Sequence, residues 1–271
     1  MRDEFKERLG QIAQGRGTGW RSHRERPIVS LDELPGSVRT DGVLIVERSL
    51  SELISMGEQQ KLLARLKKVS EAAANRDDLH DDVRSLVSTP DRALFFDTET
   101  TGLGGNMVFM LGTMRVSDTD VRLVQVFARD YREEKALLEV WSEMLGASGM
   151  LVSFNGKSFD APVLRDRLAL HGMVVPEEPP HLDLLHHARR RWKGAFSDCR
   201  LQTLEWQICG RRRSGDIPGA EIPGVYHHFV RTGETADILS VFHHNALDLI
   251  TLADIAVELI GPAAGPRGRR A

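Results

Sequence analysis

The sequence predicts an α/β fold, and three observations carry that reading. An apolar run, Ala93-Leu94-Phe95-Phe96, is followed by two further strand-like stretches, Val108 to Val116 and Val121 to Phe127, as a meander. A segment of helical periodicity, Glu133 to Leu145, then leads into a fourth strand, Met150 to Phe154, ended by Asn155-Gly156. The remainder alternates helix and loop and closes on a helix over Ala246 to Ile260. Strands in succession, then helix, strand and helices, make an α/β pattern. The chain of 271 residues is 41% hydrophobic and 28% charged, enough to bury a core without metal or disulfide staples.

Taken in order, residues 1 to about 40 hold Gly15, Gly17, Gly19, Pro27, Pro35 and Gly36 and little apolar periodicity, which predicts an extended lead-in. Val43 to Val46 reads as a short strand. From Gly57 to Ala74, Leu62, Leu63, Leu66 and Val69 recur at helical spacing, and a second short helix covers Leu79 to Val87. Pro90 punctuates the chain before the first long strand. In the helix after the meander, Leu137, Leu138, Trp141 and Leu145 share one side. The expected division is a partly helical extension over 1–90, the main domain over 91–260 and a loose tail over 261–271, with Pro262, Pro266, Arg267, Arg269 and Arg270.

Lys and Arg total 36 against 39 Asp and Glu, a formal net charge of −3, which excludes a bulk polycation. Cys199 and Cys209 are too few for a disulfide framework, and their spacing is not that of a zinc ribbon. No run of 18 apolar residues offers a membrane-spanning helix, and the start MRDEFKERLG lacks the apolar stretch of a signal peptide, so a cytoplasmic protein is expected.

The chemistry lies in four acids. Asp97 and Glu99 stand two apart at the end of an apolar strand, so their side chains leave on one face. Asp160 follows the fourth strand in Ser153-Phe154-Asn155-Gly156-Lys157-Ser158-Phe159-Asp160, and Asp248 closes His243-His244-Asn245-Ala246-Leu247-Asp248. Acids in such apolar settings need compensation. Mg²⁺ and Mn²⁺ are hard cations that take carboxylates together with water and phosphate. Two such ions activate a water and stabilise the leaving oxygen in phosphodiester cleavage.

Phe96-Asp97-Thr98-Glu99-Thr100-Thr101-Gly102-Leu103 resembles the first motif of the DnaQ-like, ribonuclease-H-like 3′–5′ exonucleases. Asn155 to Asp160 resembles their second motif, and the stretch ending in Asp248 their third. More narrowly, His181-Leu182-Asp183-Leu184-Leu185 through Arg189-Arg190 and Trp192 is similar to the YprB-type branch. So are Cys199-Arg200-Leu201-Gln202-Thr203-Leu204-Glu205, Ile217-Pro218-Gly219 with Ile222-Pro223, and His244-Asn245 ahead of Asp248. The resemblance spans roughly residues 92–260 and implies a ribonuclease-H-like mixed central sheet flanked by helices. It implies that Asp97, Glu99, Asp160 and Asp248 hold two divalent ions, Mg²⁺ or Mn²⁺. It also implies a nearby His or Tyr that orients or deprotonates the attacking water. His244 stands four before Asp248, on one helical face with it, and His243 stands five before; the first fits if the helix already includes it, the second if the chain is still loop. The expected activity is metal-dependent 3′–5′ exonuclease action on single-stranded or frayed DNA or RNA. A metal-dependent endonuclease and a catalytically silent nucleic-acid-binding module are the alternatives.

Each acid also has a structural reading. Asp97 and Glu99 could cap a turn, Asp160 could be an early-helix acid, and Asp248 another with Asn245 as its cap. Asp183 reads as a structural acid or cap rather than a fifth ligand. His186 and His187, being adjacent, point in different directions on a helix, so a surface helix is expected there instead of a metal site with His181 and Asp183. The segment from His186 to Arg213 holds Arg189, Arg190, Arg191, Lys193, Arg200, Arg211, Arg212 and Arg213 against Asp198 and Glu205, with Trp192, Phe196 and Trp206 interleaved. Cations among aromatic faces suit a single strand, although Trp206 is expected to pack inward. Expected nucleic-acid contacts are Thr100, Gly102, Asn155, Lys157, Arg189, Arg190 and Arg200, with loops at Gly102–Asn106 and Gly210–Gly224 able to approach a strand end.

Overall fold

The computed structural model describes residues 30, 31, 34, 37–40, 42–49, 60, 62–65, 67, 71, 78–102, 106–117, 121–213 and 215–261. Most of the expected lead-in, part of the 57–74 helix including Leu66 and Val69, the turn at 118–120 and the tail beyond 261 lie outside the described residues. Residues 60, 62–65, 67 and 71 are helical, and Leu62 is buried.

Among the described residues, seven strands form one sheet: β1 (Ser37–Thr40), β2 (Val43–Ser49), β3 (Ala93–Thr100), β4 (Val108–Val116), β5 (Val121–Phe127), β6 (Met150–Ser153) and β7 (His181–Asp183), in the order β1-β2-β5-β4-β3-β6-β7. β3, β4 and β5 are the antiparallel meander, with Asp97 opposite Gly112. β6 and then β7 continue the sheet in parallel beyond β3. β2 pairs antiparallel with β5, Leu44 opposite Phe127, so two strands ahead of residue 90 join the same sheet. β7 has no counterpart among the expected strands; three residues are too short to show an alternation.

The helices are α1 (Asp81–Ser88), α2 (Glu134–Gly146), α3 (Asp160–Leu170), α4 (Leu184–Trp192), α5 (Leu201–Leu204), α6 (Ile222–Thr232) and α7 (Ile238–Ile260). Each sheet face carries a core. Val83, Leu86, Leu184, Ala188, Trp192 and much of α7 bury one face, on Ala93, Phe95 and Val152. Leu137, Trp141, Leu164, Tyr226 and Phe229 bury the other, on Leu94, Phe96 and Phe127. The buried side of α2 is the one its spacing predicted.

α7 corrects an expectation. It begins at Ile238 rather than Ala246, because Ile238, Val241 and Phe242 at i, i+3 and i+4 are all buried and carry the helix into the core. The polar run His243-His244-Asn245, which resembles a cap, is therefore interior helix and is itself buried. Among the described residues no helix is long and apolar enough to cross a membrane.

Candidate active site

β3 alternates between the two cores, Ala93 and Phe95 on one face and Leu94 and Phe96 on the other. The same alternation carries Asp97 and Glu99 onto the first face, under α7. There the helical repeat puts His244 and Asp248 side by side, His244 Nε2 lying 3.4 Å from Asp248 Oδ2. One donor atom each of Glu99, His244 and Asp248 falls within 4.8 Å of the others. Asp160, the first residue of α3, is drawn in by Thr98, whose backbone N–H and hydroxyl donate to its Oδ1 at 3.2 and 2.5 Å. The four acids, 151 positions apart from first to last (248 − 97), thus converge at one end of β3.

Two braces aim these groups. Asp183 caps α4 through Leu185 N–H (3.0 Å) and also accepts from the N–H groups of Asn155 (2.8 Å) and Lys157 (3.2 Å), fixing the loop that feeds Asp160. In that loop Asn155 takes a positive φ of 67°, and a Cβ on Gly156 would lie 2.3 Å from Ser153 Oγ. On the other side, Asn245 Nδ2 donates to Asp97 Oδ2 at 2.9 Å. Gln125 Nε2 donates to Asn245 Oδ1 (3.0 Å) and to the Phe242 carbonyl (2.7 Å), and Arg48 of β2 donates to Gln125 Oε1. Gly112 leaves room for this amide: a Cβ there would sit 2.0 Å from Asn245 Oδ1.

Asp248 is handled differently. Arg213 Nη2 donates to its Oδ1 at 2.5 Å, while Arg213 Nε donates to Glu205 Oε2 (2.6 Å) and Nη1 to Asp216 Oδ2 (3.1 Å). Asp216 Oδ2 also lies 2.9 Å from His244 Nδ1, so the imidazole is held between two carboxylates. Its hydrogen bonds to Asp216 and Asp248 outweigh burial, which acts the other way, and lift its pKa to about 11. Burial would raise the pKa of Asp248, but His244 and Arg213 bring it below the ordinary value. Asp97, Glu99 and Asp160 shift upward, burial being the largest cause; Asp248 and Glu99 repel a charge on Asp97, and Glu99 reaches about 8.

His243 shares the helix but not the contact. Burial lowers its pKa to about 4, and its side chain makes no hydrogen bond to the four acids. Of the expected nucleic-acid contacts, Thr100 and Gly102 lie just beyond Glu99, the Thr100 hydroxyl donating to the Gly102 carbonyl at 2.8 Å. Asn155 and exposed Lys157 flank Asp160. Arg189, Arg190 and Arg200 are exposed and tied to none of the four acids.

The basic segment is less of a surface than its charge count implies. Arg211 binds Glu205 and Asp254, Arg213 binds the site, and Arg191 donates to the Leu259 and Gly261 carbonyls. Trp206 is 40% exposed instead of inward, with the Arg212 guanidinium 3.3 Å from its ring centroid. Arg48, Gly112, Gln125, Arg213 and Asp216 are site residues that sequence reasoning missed. Only the crowding of Arg211, Arg213 and Asp216 in one Gly-rich stretch hinted at them.

A family model described as the RNase_H superfamily matches residues 94–260. The uncharacterized protein YprB of Bacillus subtilis is 38% identical over 170 residues, which are 61% of this chain and 41% of that protein. The chain therefore spans well under half of that relative. The family B DNA polymerase of the hyperthermophilic archaeon Pyrobaculum calidifontis superposes with a TM-score of 0.51 at 17% identity, over 63% of this chain and 24% of that one. Brucella melitensis NrnC, solved with bound Mg²⁺, aligns with a TM-score of 0.29 at 13% identity, over 69% of this chain and 94% of that one.

Proposed function

We propose, from the premise that this chain belongs to the RNase H superfamily, that it is a metal-dependent 3′–5′ exonuclease acting on single-stranded or frayed nucleic acid. The observation that carries the reading is the convergence of Asp97, Glu99, Asp160 and Asp248 with His244 in contact with the last of them. The donor set fits Mg²⁺ or Mn²⁺: it offers hard oxygens, and the cations beside it, Arg213 and His244, both sit on Asp248. That leaves Asp97, Glu99 and Asp160 with more negative charge than their neighbours compensate. When bound, two divalent ions supply charge neutralisation at the scissile phosphate and a lowered pKa for water.

The chain's own residues supply position and proton transfer. His244 Nε2 is the group placed to take the proton of the attacking water, with Asp216 on Nδ1 holding the ring's orientation. With both Asp216 and Asp248 holding the ring protonated, His244 would serve as a base only where bound divalent ions offset the field of these carboxylates. Thr100, Gly102, Asn155 and Lys157 border the acids and are proposed to receive the strand end. Arg189, Arg190 and Arg200 are proposed to meet phosphates farther along, without base preference.

Incubating 5′-labelled DNA and RNA single strands with the protein and Mg²⁺ or Mn²⁺ tests the reading. A ladder shortening from the 3′ end on either substrate supports it and reports the sugar preference. Cleavage of a circular or 3′-blocked strand makes the protein an endonuclease instead. Salt-sensitive binding without metal-dependent product makes it a silent binding module.

A further inference from the structure

A second constellation lies where α1 meets α4, built from residues outside the carboxylate site. His187 faces inward from α4 and is 7% exposed, whereas its neighbour His186 points outward. The inward ring meets His80, immediately ahead of α1, edge to face at a centroid distance of 5.0 Å. Between the two rings stands Asp82. His187 Nε2 is 3.4 Å from Asp82 Oδ2, and His80 Nδ1 contacts Asp82 Oδ1. One donor atom from each of the three falls within 4.8 Å of the others.

We propose that His80, Asp82 and His187 form a transition-metal site, for Zn²⁺ in preference to Mg²⁺. Zinc bonds of about 2.0–2.2 Å to imidazole and carboxylate place tetrahedral ligands about 3.3–3.5 Å apart, and the His187–Asp82 separation of 3.4 Å is such an edge. Two imidazoles with one carboxylate make a borderline donor set that suits zinc, unlike the all-oxygen carboxylate cluster. Three protein ligands leave one corner for water. Burial outweighs the hydrogen bond that His187 donates to Asp82 and lowers the His187 pKa, which keeps the ring in the neutral form that binds metal. His80 makes no side-chain cap bond to the backbone of α1, and its ring meets that helix through Asp82.

The occupant would clamp α1 to α4. α4 is capped by Asp183, which braces the loop ahead of Asp160, so the clamp would join the residues before the long strands to the same helix whose cap supports the carboxylates. None of its three ligands belongs to the acid cluster.

The test uses the full chain carrying Asp97→Asn and Asp248→Asn, so that the carboxylate cluster no longer competes. After chelation, Co²⁺ is titrated in as a visible probe. One equivalent bound with the intense bands of tetrahedral cobalt, bleached by Zn²⁺ but not by excess Mg²⁺, is expected. His187→Gln and His80→Gln should each weaken Co²⁺ binding at least about tenfold, with His80 the safer variant because its side chain is 47% exposed. Absence of the bands in the parent, or unchanged affinity and spectrum in a His80→Gln variant that retains its circular dichroism, overturns the site.

Discussion

Asp97 and Asp248 face each other across one site, yet the protein treats the two sides in opposite ways. On the β3 side, Asp97 is held by a neutral amide, Asn245, backed by Gln125, and its neighbour Glu99 has no cation bonded to it. On the α7 side, Asp248 is bonded to Arg213 and touched by His244, with Asp216 and Glu205 completing an ion-pair network. Amides fix direction without supplying charge, whereas guanidinium and imidazolium supply both. The first side is therefore an unmet demand for cations, and the second is largely satisfied from within.

The largest test of this contrast compares Asp97→Asn with Asp248→Asn. Both should lower metal-dependent turnover by about 10³-fold or more. Their metal-free stabilities should move apart. Asp97→Asn should hold or raise the melting temperature, because it removes a repelled acid. Asp248→Asn should lower it, because it strips a partner from Arg213 at a cost of about 3 kcal/mol. Equal shifts in a thermal melt would break the comparison, and a wild-type rate for Asp97→Asn would falsify the catalytic assignment.

Next comes Arg213→Met. It removes the cation shared by Glu205, Asp216 and Asp248, leaving only Arg211 on the first and His244 on the other two, and a loss of about 3 kcal/mol is expected in a denaturant titration. Because the freed Asp248 then joins the cation-demanding side, added Mg²⁺ should recover more stability in this variant than in the parent.

The Glu99 side has its own signature in pH. A carboxyl whose pKa rises from 4.5 unfolded to about 8 folded binds more protons in the native state between those values. Its contribution is complete at low pH and is lost as pH rises through that window, by up to a few kcal/mol. Metal-free protein should thus lose stability from about pH 4.5 to 8, and Glu99→Gln should flatten the slope. Melts across that range that show the same slope in both proteins would refute the shift.

Smaller effects mark the brace and the rim. Gly112→Ala drives a methyl into the Asn245 amide, so kcat should fall by roughly 10–100-fold with KM little changed, as for a mispositioned ligand. Each of Arg189→Ala, Arg190→Ala and Arg200→Ala should reduce the magnitude of the log-log salt dependence of strand binding by about one.

The same contrast explains what the sequence could convey. The acids were legible because each sits beside a local signal: an apolar strand ending in Asp97 and Glu99, the Asn155-Gly156 turn before Asp160, and the i, i+4 spacing of His244 and Asp248. The sheet meander and α2 were legible through periodicity. Arg213 was not, since in a run of three arginines nothing local distinguishes the one that turns inward from Arg212, which lies on Trp206. Gln125 and Arg48 were hidden for a related reason, as polar residues in strands normally read as solvent-facing. The early start of α7 was missed because three polar residues interrupt its apolar pattern, and two of them, His244 and Asn245, stay inside through buried hydrogen bonds.

The brace on Asp97 also says something about when the site comes into being. Its links join residues 77, 120 and 148 positions apart, from Arg48 to Gln125, Gln125 to Asn245, and Asn245 to Asp97. Contacts of such separation close late, after the local meander has formed. Asp97 is consequently set only when a strand from the start of the chain and the helix at its end are both in place. A chain lacking either element carries the acids of β3 without the brace that aligns Asp97.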